Sequence, residues 1–244
     1  MRILVTNDDG IYSEGIKHLV EVAQKYGEVI VVAPKVEQSA KSHALSIKGA
    51  IECKKVDLFP GIDSYMVDST PADCVRYAYY GLKDKFDIVF SGINRGYNLG
   101  FDILYSGTVA AAAEAALHNI KAIAFSAHQS SFDSAVKQID RVLKYVFDRN
   151  LLDEWNLYNI NIAKESNDNT EILLTQQGGT NFQTTFDLDG NDYYQNGVPC
   201  FENSLDKLYL DTSAIMNGYI SITPLTYDRT NYVVLDKLKK NNHN

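Results

Sequence analysis

Cysteine is scarce in this chain: Cys53, Cys74 and Cys200 are the only three in 244 residues, far apart and without a CxxC or Cys/His pairing. Neither a disulfide framework nor a structural zinc site can organise such a fold, and the three are expected as small buried hydrophobes. Long apolar runs are missing too. No stretch approaches the roughly 18 residues of a membrane span, and the N-terminus lacks a basic region followed by an apolar core of about 7–15 residues. A cytoplasmic protein without membrane contact is expected. Positive charge is in deficit, 23 Lys and Arg against 31 Asp and Glu, for a net charge of −8. That balance disfavours broad contact with nucleic-acid backbones, so no duplex nucleic acid is expected as a partner.

Several familiar motifs are also absent. No GxGxxG follows the first apolar run and no GxxxxGK[ST] occurs, which disfavours dinucleotide and Walker-type sites. No GxSxG marks an α/β-hydrolase. The histidines His18, His43, His118, His128 and His243 show no HxH or HExxH spacing.

What is present is a repeated strand–helix rhythm. Residues 3–5 (ILV) read as a strand buried on both faces. Ile16, Leu19, Val20, Ala23 and Tyr26 share one helical face between the N-cap Ser13 and a stop at Gly27. EVIVVAP is the next strand, and this opening implies a right-handed βαβ unit. DSTPADCVRYAYYGL starts a helix with Thr70 as cap, Pro71 at the first position and Asp73 completing a capping-box-like pattern. FDIVFSG is a strand, SGTVAAAAEAALHN an Ala-rich helix and IKAIAFS another strand. Residues 134–149 are helical and NLYNINIA alternates as a strand. Beyond about residue 165 the style changes, with a hairpin around Asp189-Gly190 and a late strand in GYISITPL. The sequence therefore predicts a doubly wound, mostly parallel α/β core over 1–165. Residues 166–244 follow as a hairpin-bearing C-terminal segment. The hairpin and the GYISITPL segment are too long and apolar for an isolated flap, so a homodimer or larger oligomer is expected to use them. The polar tail DKLKKNNHN is read as frayed or docked on a partner chain.

In open α/β sheets ligands bind beyond the carboxyl ends of the strands. Four segments fall on that edge: NDDG, EQSAKSHALS, SGINRGYNLG and YSGT. The adjacent carboxylates Asp8 and Asp9 repel each other and call for compensation. With a hydroxyl from Ser39 or Ser42 and the amide oxygen of Asn94 they form a hard, oxygen-only donor set suited to Mg²⁺ or Mn²⁺. The competing reading, a helix cap, accounts for one acid but not for two. Tyr105-Ser106-Gly107-Thr108 leads into a helix, where exposed N–H groups and two hydroxyls suit a phosphate; plain N-capping is the alternative. Asn94, Gly96, Asn98 and Gly100 allow close backbone approach to a ligand, and Arg95 is a candidate to steer phosphate or a solvated side chain. His43 lies in the loop EQSAKSHALS. His118 is expected to satisfy a helix C-terminal carbonyl, and Glu114 to be a surface residue.

VTNDDGIYSEGI, APKVEQSAKSHALS, DSTPADCV, SGINRGYNLG, YSGTVAAAAEAAL and NGYISITPL together resemble, in order, the successive blocks of the SurE survival-protein family. The resemblance implies a Rossmann-like fold and a metal-dependent nucleotidase acting on nucleoside 5′- and 3′-monophosphates, assembled as homodimers or homotetramers with exchanged C-terminal elements. It also implies one divalent cation per subunit on Asp8, Asp9, Ser39 and Asn94, and a phosphate pocket lined by Asn94, Asn98, Ser106, Gly107 and Thr108. Two positions depart from the pattern: Ala40 stands where Gly is usual, and Ala115 replaces a frequent Gly. Neither removes a proposed ligand.

The expected reaction is phosphomonoester hydrolysis centred on Asp8 and Asp9. Metal-activated water is the favoured nucleophile, and attack by an Asp through an aspartyl-phosphate is the alternative. A Mg²⁺-binding receiver module shares the acid pair, but it is about half this length and needs an Asp ending a later strand, where this chain offers Ser91, Asn94 and Ser126. A non-catalytic nucleotide sensor is the third reading.

Overall fold

The apolar run at the N-terminus forms strand β1 (Arg2–Thr6), and in this computed structural model it is covered on both sides. Ile3 and Val5 pack on one face of the sheet and Leu4 on the other, which explains an apolar run without polar alternation. The structure describes residues 1–130 and 132–241, so His243 and the end of the polar tail lie outside it.

Helix α1 (Glu14–Ala23) starts at Ser13, whose hydroxyl accepts from the Ile16 amide, and ends before Gly27. Gly27 is instead a site of close approach, since a β-carbon there would lie 2.0 Å from the Met1 carbonyl oxygen. Strand β2 (Glu28–Pro34) follows. A β3–β4 hairpin (Cys53–Phe59, Ile62–Val67) comes next, then α2 (Pro71–Arg76), capped by Thr70 and continued as a π-helical turn over Tyr77–Gly81. Strand β5 (Ile88–Arg95), helix α3 (Gly107–Leu117), strand β6 (Lys121–Ala127), helices α4 (Phe132–Asp148) and α5 (Leu151–Glu154) and strand β7 (Leu157–Ile162) complete the alternation.

The strands join in one nine-stranded sheet of order β3-β4-β2-β1-β5-β6-β7, extended by β11 (Ile220–Pro224) and β8 (Ile172–Leu174). The run from β4 to β7 is parallel, while β3 and β11 pair antiparallel with their neighbours β4 and β7. Helices α1 and α4 cover one face with Leu19, Ile139 and Val142, and α2 and α3 cover the other with Cys74, Val109 and Ala112. This is the doubly wound α/β architecture expected.

Three expectations change. The sheet does not stop near residue 165: β8 and β11 belong to it, and helix α6 (Asp211–Met216) leads into β11. Because Ile220–Thr223 of β11 are buried, GYISITPL is core and not a free surface for assembly. Among the described residues only the hairpin β9–β10 (Thr180–Asp189, Asp192–Phe201) forms a sheet of its own, and the last described element is helix α7 (Tyr232–Asn241), with no buried residue. The cysteines also divide, since Cys74 is buried, Cys53 half-buried and Cys200 exposed.

Candidate functional site

The carboxyl end of β1 turns through Asn7-Asp8-Asp9-Gly10. Buried Asn7 shapes the turn, its Nδ2 donating to the Gly10 carbonyl at 2.9 Å and to Ser13 Oγ at 2.7 Å. Asp8 is buried and packs on the start of α3, where its Oδ1 accepts from the Thr108 hydroxyl. Gly107 permits this approach: a β-carbon there would stand 2.8 Å from Asp8 Cβ and 2.9 Å from Asp8 Oδ2. Burial raises the Asp8 pKa, opposed by hydrogen bonds from Thr108 and the Gly107 amide. Asp9 is pushed up to about 6, first by burial and then by the charge of Asp8. The pair is a concentration of negative charge that these hydrogen bonds offset only in part.

The other expected segments arrive at this point. The Arg95 amide donates to Asp9 Oδ2 at 3.2 Å, which brings the end of β5 onto the acids. A register shift between Ser91 and Asn94 makes that reach possible. Gly92 sits in the shift with φ of +135°, and a β-carbon there would meet the Phe125 carbonyl oxygen at 2.4 Å. Asn94 and Arg95 are thus strand residues rather than loop. Asn94 Nδ2 donates to the Gly96 carbonyl at 2.8 Å, leaving Oδ1 as the atom suited to a cation. The loop after β2 is tied in by the Gln38 amide, 2.7 Å from the Asp8 carbonyl oxygen. Ser39 is the next residue, but it is exposed and its hydroxyl donates to Glu37 Oε1 at 2.5 Å.

The donor set fits a hard divalent cation. Among the described residues no group of three or more His, Cys, Asp or Glu side chains could hold a metal. Two carboxylates with a neutral amide oxygen on the adjoining strand would favour Mg²⁺ or Mn²⁺ over zinc or copper.

The residues expected around phosphate take different roles. Ser106 caps α3, accepting from the Val109 amide at 3.1 Å, and its own O–H remains a donor. Thr108 spends its hydroxyl on Asp8, so it positions the acid. Asn98 turns inward: its Nδ2 donates to Ser126 Oγ at 2.8 Å, while Asn159 and Asn161 donate to its carbonyl at 2.8 and 2.9 Å. Arg95 pairs with Glu14 at 3.1 Å and lies over the Phe132 ring.

Sequence reasoning missed a second cluster. Glu114 is only 3% exposed, not a surface residue, and holds His43 at 2.8 Å, Arg76 at 2.9 Å and His118 at 3.2 Å. Burial would raise its pKa, but hydrogen bonds and charge from His43 and Arg76 bring it down to about 2. His118 stacks on Tyr79 and faces this carboxylate. The one hint in the sequence was an acid amid alanines, on a helix with no polar face.

Comparison with known proteins places nearly the whole chain among related sequences and structures. The family described as survival protein SurE matches residues 3–184. A protein named 5′-nucleotidase SurE from Clostridium botulinum (strain ATCC 19397 / Type A) is 39% identical over 250 residues, covering 98% of each chain. The 5′-nucleotidase SurE of Alkaliphilus metalliredigens is 40% identical over 252 residues, covering 99% of each. Among solved structures, the SurE protein from Aquifex aeolicus superposes with a TM-score of 0.80 at 32% identity, over 98% of this chain and 99% of that one.

Proposed function

Because the chain belongs to the SurE survival-protein family, we propose that it is a 5′-nucleotidase, a phosphomonoesterase that releases phosphate from nucleoside monophosphates in a divalent-metal-dependent reaction. The observation that carries the metal dependence is the adjacency of buried Asp8 and half-buried Asp9 at the carboxyl end of β1, with the end of β5 brought onto them by the Arg95 amide. Asp8, Asp9 and Asn94 Oδ1 would hold it, with Ser39 completing the set after its hydroxyl leaves Glu37. Bound there, Mg²⁺ or Mn²⁺ supplies Lewis-acid polarisation of a phosphoryl oxygen and a coordinated water of lowered pKa.

The chain's own groups do the rest. The N-terminus of α3 directs its helix dipole at the phosphoryl group. Ser106 donates its remaining hydrogen bond to a phosphoryl oxygen and so stabilises charge in the transition state. Thr108 keeps Asp8 oriented, and the Asn98–Asn159–Asn161–Ser126 network stiffens the neighbouring loop. Water is the favoured nucleophile, since Asp8 is packed against Gly107 and engaged by Thr108. Self-association into a dimer or tetramer is part of the same reading, with the β9–β10 hairpin and α7 as the unpartnered elements. No described helix is long and apolar enough to cross a membrane.

The test is phosphate release from AMP and GMP, before and after exhaustive chelation and with Mg²⁺ or Mn²⁺ returned. Chelation should abolish turnover and the metals restore it. Full turnover after chelation overturns the metal assignment. Nucleotide binding without phosphate release under any metal makes the protein a sensor.

A further inference from the structure

A cavity of about 600 Å³ runs along α3, beside the acid pair rather than on it. That size is ordinary for a small-molecule site. One wall is a single stripe of the helix, Ser106, Val109, Ala110, Ala113 and Leu117, at the spacings that share a helix face. The cavity therefore begins at Ser106, where the proposed phosphate position ends. Gln176, Tyr227, Asp228 and Arg229 line the far side, so hydrogen-bonding and charged groups and an aromatic ring stand across from the apolar helix stripe.

The loop after β2 closes this chamber with His43. Ser42 fixes the loop to the entrance of α3, its amide donating to the Tyr105 carbonyl at 2.9 Å and its hydroxyl to the Leu104 carbonyl at 2.6 Å. His43 then lies on the cavity wall with Nε2 2.8 Å from Glu114. Glu114 is seven residues past Gly107, about 10 Å along the axis at 1.5 Å per residue, with its side chain leaning back toward the N-terminus. His43 thus stands well below the phosphate position. A proton donor to the ester oxygen must lie within hydrogen-bond reach, and the offset of Glu114 along the helix argues against that role for His43. Its distance suits the sugar or base of a nucleotide whose phosphate occupies the helix N-terminus.

We propose that this chamber holds the nucleoside part of the substrate and that His43, presented by Glu114, is a specificity-determining residue that reads it; the proposal rests on the nucleotidase reading. Glu114 engages Nε2, so Nδ1 is the nitrogen left for a ribose hydroxyl or a base edge. Ala110 and Ala113 supply the room that larger side chains would remove.

Two variants test this, Ala113→Leu and His43→Ala, each assayed with AMP, GMP and p-nitrophenyl phosphate, an ester with no nucleoside. kcat/KM for the nucleotides should fall about tenfold to two-hundredfold, mainly through KM, while p-nitrophenyl phosphate changes by less than about threefold. Calorimetric titration with adenosine alone should show binding to the wild type and none to Ala113→Leu. Equal losses on both kinds of substrate would make His43 a loop anchor and overturn the proposal, as would no loss on either. Should Ala113→Leu melt far below the wild type, His43→Ala with the same substrates and adenosine titration decides the question. A wild type that hydrolyses p-nitrophenyl phosphate but no nucleotide overturns the nucleotidase reading separately.

Discussion

Asp8 and Gly107 lie so close that no side chain fits between them: the nearest approach of a β-carbon at Gly107 would be 2.8 Å, to Asp8 Cβ. The glycine that starts α3 is therefore a spacer for the acid, ninety-nine residues away in sequence. Gly107→Ala leaves the helix start intact and favours helix in its own right, yet it must push Asp8 out of place. Displacement by even about 1 Å can cost on the order of a hundredfold in turnover. We expect that scale of loss with little change in melting temperature, read from steady-state rates and thermal unfolding. Activity within about threefold of wild type would show that Asp8 need not be held there.

Thr108 and Ser106, two residues apart, should fail differently. Thr108→Val is close in shape and removes the hydroxyl that Asp8 accepts, so metal affinity should drop and excess Mn²⁺ should restore much of the rate. Ser106→Ala removes one donor to phosphate while the helix dipole remains. It should cost about 1–3 kcal/mol, roughly tenfold to a hundredfold in kcat/KM, and added metal should not rescue it. Asp9→Asn removes a charge that holds the cation, so its rate should collapse and recover only in part. A Mn²⁺ titration of the three variants is the measurement; metal rescue of Ser106→Ala with none for Thr108→Val would put Ser106 on the metal side and Thr108 on the phosphate.

The strands and the acid pair were legible because their cause is local. An apolar run ending in two carboxylates states both its burial and its electrostatic problem. Asn94, Ser106 and Gly107 could be singled out for the same reason, each sitting beside a strand end or helix start. Thr108 was placed on the phosphate because sequence shows that a hydroxyl is near a helix N-terminus but not which way it turns. Glu114 was missed since its partners His43 and Arg76 lie 71 and 38 residues away, and only tertiary packing shows that a buried acid is neutralised. Asn159 and Asn161 fall at alternate positions of NLYNINIA, read only as an alternating strand. Both faces of β7 are buried, and that polar side meets Asn98.

Glu114 also gives the protein a dependence on acid. Its pKa lies near 2 in the folded protein against an ordinary 4.5, so the ionised form stabilises the fold. The contribution is complete above about pH 4.5 and is lost as pH falls toward 2. Glu114→Gln keeps the shape but leaves Arg76 without its counter-charge. Its melting temperature should lie below wild type at neutral pH, and the gap should narrow through that window. Thermal scans in a chelator, which keeps metal binding constant, would measure this. A gap independent of pH would mean that shape and not charge is what Glu114 contributes.

The hairpin carries the last expectation. Its two ten-residue strands form a separate sheet, with Leu188 paired directly opposite Tyr193, and both are at least 60% exposed. Phe186 and Val198 are exposed as well. A lone two-stranded ribbon is marginal in water, and apolar side chains on this scale mark an interaction surface. Helix α7 adds exposed Val233, Val234 and Leu238. A second copy of the chain would cover these groups, so light scattering at micromolar concentration should report a dimer or larger assembly. Leu188→Asp places a charge on the hairpin face, where burial against a partner would leave it unpaired. It should shift the population toward monomer while the core, held by the nine-stranded sheet, keeps its melting profile. A wild type that is monomeric at that concentration, or a Leu188→Asp variant that assembles as before, would place the contacts elsewhere.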